Sequence, residues 1–144
     1  MTARRTIWAV AFIVVMAIWV VAQDQKPVVK HVPIKNTSPA SAQEMYTSYC
    51  AACHGKEGKG NGPAAEALKV PPTDLTLLSK SNGGKYPAMK VAAIIRGDAV
   101  LPAHGSKEMP VWGKLFRSLS AGHEGEVQQR VSNLTNYIET LQAK

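Results

Sequence analysis

The chain has 144 residues, with 17 Lys and Arg against 10 Asp and Glu, a formal charge of +7 with histidine neutral. At 45 % apolar and 19 % charged residues the composition is that of a globular protein, and the length admits one domain plus a short extension, not a two-domain Rossmann or barrel enzyme. Two cysteines exclude a disulfide-dense mini-protein and a four-cysteine zinc site, while the basic balance points to acidic partners.

The first element is an export signal. Arg4 and Arg5 precede an uninterrupted apolar run from Ile7 to Ala22, the charged-then-apolar order of an exported chain. The run falls between a signal-peptide core and the ~20 residues that span a bilayer. Val20 and Ala22 suit cleavage before Gln23, whereas Trp8 and Trp19 near the two ends suit a retained anchor. Residues 1–22 therefore read as a signal peptide or an uncleaved membrane anchor, and the location as periplasmic, either soluble or tethered to the inner membrane by residues 7–22. Residues 23–40 contain Pro27, Pro33 and Pro39 and no helical period, which predicts an extended linker in which His31 is solvated.

The globular domain is expected over residues 41–144. Ser41 with Glu44 three positions on forms a capping-box pattern that opens a helix reaching Tyr49. Pro63 precedes a short helix expected over Ala64–Lys69, and a second over Pro87–Arg96 stops at Gly97. Val127, Val131, Leu134, Ile138 and Leu141 recur with the period of an amphipathic closing helix, and Tyr137 lies beside the stripe. Between these elements lie loops rich in Gly, Pro, Ser and Lys, and no segment alternates long enough to predict a sheet. The fold class read from the pattern is all-α with long loops.

Cys50-Ala51-Ala52-Cys53-His54 carries the chemistry. A C-x-x-C-H run is the attachment signature of c-type haem. Two thiols three apart at a helix end reach the vinyl groups on one edge of a porphyrin, and the adjacent imidazole is placed beneath the iron. The rivals are a thioredoxin-type dithiol, which lacks the βαβ context, and half a zinc site, which lacks a further cysteine although His104 and His123 are available.

From about Ser41 onward the chain resembles a class I monohaem cytochrome c. Tyr46 stands where that family has an aromatic four residues before the first cysteine, Ala42 where it commonly has glycine, and Leu134 and Tyr137 match its closing Leu-x-x-Tyr pair. Met109-Pro110-Val111-Trp112-Gly113 matches the Met-Pro-x-Trp-Gly ligand loop of many bacterial members. The resemblance implies an all-α cytochrome c fold of three to five helices wrapped around one covalently attached haem c. Cys50 and Cys53 would bind it, His54 would be the proximal iron ligand and Met109 the distal one, with His104 as the rival distal ligand. It also implies a backbone carbonyl near Pro63 or Pro72 accepting from His54. Trp112 would donate to a propionate or form an apolar wall, with Tyr86 and Arg96 as lesser candidates for the propionate.

The implied activity is single-electron transfer with no change to substrate bonds, hence an electron carrier and not an enzyme. Its expected partners are membrane-bound respiratory complexes with acidic docking faces, such as a terminal oxidase and a quinol-oxidising complex. Lysines 56, 59, 69, 80, 85, 107 and 114 would form the basic rim that meets them. A cytochrome subunit of a larger oxidoreductase and an open-site haem sensor or catalyst are the alternatives. Nucleic acid is not an expected partner, because no basic stripe interleaves with aromatics.

Overall fold

Helix begins where the sequence offers a cap. In the computed structural model, which describes residues 33–98 and 109–143, the Ser41 hydroxyl accepts from Glu44 N at 3.4 Å at the head of α1 (Ala42–Met45). The helix does not stop at Tyr49. It widens into a π-helical stretch, Tyr46–Cys50, and resumes as α2 (Ala51–His54), so the whole haem motif is helical. Wide turns of this kind recur at functional sites, and this one directly precedes the motif. The export segment 1–22, the linker through residue 32 with His31, and His104 and Lys107 lie outside the described residues.

Gly55, at φ +77°, ends α2, and the glycine-rich loop then folds back on it. Ala64 N, Gly62 N and Gly60 N donate to the carbonyls of Ala52, Cys53 and His54 at 2.8, 3.0 and 2.8 Å. These are the acceptors a helix end leaves without intrahelical donors. The helix expected over Ala64–Lys69 is only a single 3₁₀ turn, Ala65–Ala67. Pro71 and Pro72 bias the chain before them toward extended geometry, and Leu68 is already extended. Two further 3₁₀ turns follow, Leu75–Leu77 and Lys80–Asn82.

α3 (Ala88–Arg96) ends at Gly97 in the left-handed conformation, as the sequence predicts. α4 (Trp112–Leu119) is a helix the periodicity reading omitted, and α5 (Glu124–Thr140) is the closing helix. α5 packs against α1, α3 and α4, and α3 packs against α4. Among the described residues there is no strand. Met45, Tyr46, Phe116, Val127, Val131 and Leu134 are essentially inaccessible to water. Each large apolar side chain so buried contributes roughly 1.5–3 kcal/mol. The crossing of α1 and α5 is closed by Tyr46 and Tyr137, whose ring centroids lie 5.2 Å apart, while the Tyr46 hydroxyl donates to Gly55 O at 2.8 Å.

The compact unit begins at Ile34, earlier than the expected boundary at Ser41. A buried tyrosine and a half-buried asparagine draw the end of the linker inward. The Tyr49 hydroxyl donates to Lys35 O at 2.7 Å and lies 2.7 Å from Thr37 Oγ1, while Asn133 donates to Pro39 O at 2.8 Å. Buried hydroxyls need partners, and residues 35–39 supply them.

Candidate haem site

The opening helix brings Cys50 and His54 to the wall of an apolar cleft. Thr73, Leu75 and Leu78 form a second wall, Val91, Ile94 and Ile95 of α3 a third, and Leu134 and Ile138 of α5 the floor. Met109 and Trp112, at the head of α4, complete the lining.

His54 is buried and fixed. Its Nδ1–H donates to Thr73 O at 3.0 Å, which leaves the lone pair on Nε2, the form in which imidazole ligates a metal. The carbonyl therefore comes from beside Pro72 and not from beside Pro63. Both sides of the 73–76 segment are pinned: Leu75 N donates to Gly58 O at 2.7 Å, and the Gln142 amide donates to Leu75 O at 2.7 Å. A Cβ on Gly60 would lie 2.4 Å from Pro72 O, so only glycine lets the loop pass this close.

Burial, and secondarily the neighbouring Cys53, pushes the Cys50 thiol up to about 12, and burial raises Cys53 as well. A thioredoxin-type dithiol needs a depressed thiol pKa, so the dithiol reading has no support in this geometry. Among the described residues, which do not include His104, no three His, Cys, Asp or Glu side chains gather into a metal-holding group. The cleft is an apolar slot walled by the Cys50 thiol, an oriented imidazole and a thioether, while Cys53 sits three residues on from Cys50, half-buried and outside the lining; this donor set suits a covalently held iron porphyrin.

Comparison with known families agrees. The cytochrome c family matches residues 39–142, well over half of the chain. The chain belongs to the cytochrome c family. Comparison with curated proteins and with solved structures gave no significant match. Members of the family hold haem c covalently through a C-x-x-C-H motif, and this cytochrome carries Cys50, Cys53 and His54 at that spacing, so its cofactor is covalently attached haem c. The family supports haem-based electron transfer as the general activity.

The remaining sequence candidates divide. Met109 is half-buried and faces the same cleft as His54. Trp112 is buried in an aromatic column, its ring stacked on Tyr49 at 5.1 Å and 5.7 Å from Phe116, which makes it a wall of the cleft. Tyr86 and Arg96 are turned to other partners: the Tyr86 hydroxyl donates to Thr135 O at 2.8 Å, and Arg96 Nε donates to Asp98 at 2.7 Å. His123 is exposed at the head of α5, and Lys56, Lys59, Lys69, Lys80, Lys85 and Lys114 are exposed. Among the described residues no helix is long and apolar enough to cross a membrane.

Sequence reasoning missed Arg130, which is 1 % exposed. Its signal was present: position 130 falls on the apolar stripe between Val127 and Val131. It missed α4 as well, although Trp112, Leu115, Phe116 and Leu119 keep the i, i+3, i+4, i+7 spacing.

Proposed function

We propose that this cytochrome is an exported electron carrier of the class I type, in which His54 and Met109 would both ligate the haem iron. The observation that carries the reading is the shared cleft. His54, Cys50 and Met109 line one apolar cavity, and the imidazole is already held in the ligating tautomer by Thr73 O. When bound, haem c supplies a reversible one-electron couple. Thr73 O orients His54 and raises its basicity. The Met109 thioether would fill the second coordination position of the iron and favour the reduced state. Trp112, Ile94, Ile95 and Leu134 exclude water from the interior of the slot.

The partners proposed are membrane-bound respiratory complexes with acidic docking faces, a terminal oxidase and a quinol-oxidising complex. The exposed lysines and the charge of +7 support this reading, because such a surface is steered toward acidic patches. The basic and apolar order of residues 1–22 supports export to the periplasm. A retained segment would hold the domain near its partners at high effective concentration. Absorption spectra of the purified protein in both redox states, with and without CO, test the reading. The expected result is a low-spin spectrum insensitive to CO, and a CO-binding, high-spin haem would replace the carrier with an open-site sensor or catalyst.

A further inference from the structure

α5 buries a charge that haem attachment does not require. The Arg130 guanidinium lies inside the domain. Its Nε and one terminal nitrogen donate to a single Glu126 oxygen at 3.2 and 2.8 Å, and the other terminal nitrogen donates to Thr37 Oγ1 at 3.2 Å and lies 3.8 Å from Met45 Sδ. The charge also sits 5.9 Å from the centre of the Phe116 ring. Phe116 in turn is 5.7 Å from Trp112, which lines the cleft. Along α5, Arg130 is one turn before Leu134, another lining residue, a rise of about 6 Å.

We infer that Arg130 is a fixed interior cation that raises the reduction potential of the haem site, with Glu126 tempering it from the water side. The inference rests on haem occupying the cleft. Accepting one electron lowers the positive charge of the site by one unit, so a nearby cation disfavours the oxidised state. Glu126 does not cancel the effect, because the two charges differ in environment. The Arg130 side chain is 2 % exposed and the Glu126 side chain 33 % exposed. The carboxylate's field is screened by water and salt, whereas the guanidinium acts through the protein interior.

Stability alone does not account for the arrangement. Replacing a buried ion pair with well-packed apolar groups is often neutral or favourable, whereas a buried arginine carries a desolvation cost. An arginine also holds its charge at every accessible pH, which makes it a constant source of field.

Redox titration of the haem-loaded protein at fixed pH and salt tests this with three variants. Arg130→Met keeps most of the stem volume and removes the charge, and the potential is expected to fall. Glu126→Gln removes the opposing charge, and the potential is expected to rise. Arg130→Lys retains a cation and is expected to stay nearer the parent than Arg130→Met does. A merely structural salt bridge would loosen the cleft in both charge-removing variants and move them in the same direction. Same-direction shifts, or an unchanged potential in Arg130→Met, would overturn the inference. Should Arg130→Met not fold, the sign of the Glu126→Gln shift decides alone. Absorption spectra of the same samples keep the ligand assignment separate: a high-spin parent protein would defeat the Met109 reading, while opposite-signed shifts would still support the role of Arg130.

Discussion

Gly113→Ala is the substitution that most directly probes how the head of α4 is seated. A Cβ at Gly113 would lie 2.4 Å from Arg96 O and 3.0 Å from Arg96 Cα, backbone atoms that a rotamer change cannot move. Ordinary contact requires about an ångström more, so α3 and α4 must separate where they cross. Overpacking of this kind costs ~1–3 kcal/mol, offset by the ~1 kcal/mol that alanine gains over glycine inside a helix. Because the contacted atoms are backbone, the upper part of that range applies, about 2–3 kcal/mol. The net expectation is a loss of about 1–2 kcal/mol, or roughly 5–10 °C in melting temperature for a domain this size. Gly125 is the internal control. It also lies in a helix, yet a Cβ there meets nothing within 4 Å, so Gly125→Ala should stabilise by up to ~1 kcal/mol. Thermal unfolding of the haem-loaded proteins followed by circular dichroism reads both. Because α4 begins at Trp112 and follows Met109, Gly113→Ala should also increase CO binding. A Gly113→Ala protein that melts at or above the parent temperature would refute the close crossing.

Replacing Cys50 and Cys53 together with alanine should abolish the haem signal that survives a denaturing gel; a retained signal would rule out thioether attachment at this motif. Met109→Ala should yield a high-spin, CO-binding haem of lower potential, with His104→Ala nearly silent, and the reverse pattern would assign the distal ligand to His104. Gly60→Ala forces alanine into φ +77° and sets its Cβ 2.4 Å from Pro72 O. It should cost about 2–3 kcal/mol in a denaturant melt and, by weakening the Thr73 bond to His54, raise the potential. The bond from Arg130 holds the Glu126 carboxyl below its ordinary value of 4.5. The stability it supplies is therefore present above that value and is lost as the pH falls below it; Glu126→Gln should flatten this part of an acid titration, and an unchanged slope would contradict the assignment.

The sequence was informative where local chemistry decides structure, and less so where packing does. Ser41 and Gly97 mark helix ends by their own hydrogen bonding and backbone preference, and both terminate helices where expected. The closing helix was legible from Val127, Val131, Leu134 and Ile138, since a single amphipathic face repeats over four turns. By contrast, the carbonyl that orients His54 belongs to Thr73, nineteen positions on, and any backbone carbonyl looks alike in sequence. The place of residues 34–40 was likewise hidden. Pro39 argues against a helix in this stretch, but the reason that chain packs inward is the buried Tyr49 hydroxyl and Arg130, partners distant in sequence.

The loop between the haem motif and Thr73 meets two requirements with the same glycines. A helix that ends at His54 leaves carbonyls needing donors, and Gly60 N, Gly62 N and Ala64 N supply them. That return path brings the loop against the 72–75 segment, where Gly58 O accepts from Leu75 N at 2.7 Å and Gly60 touches Pro72 O. The strip of chain carrying Thr73 O is thereby held in register with the helix carrying His54. Donor and acceptor of the orienting bond are held together mainly through one short stretch of backbone, with the Gln142 amide bracing Leu75 O from the other side. The exposed side chains of Lys56, Glu57 and Lys59 on this loop are thus free to answer to other demands, including charge, without disturbing the imidazole. A basic face can therefore vary on the very loop that sets the geometry beneath the iron.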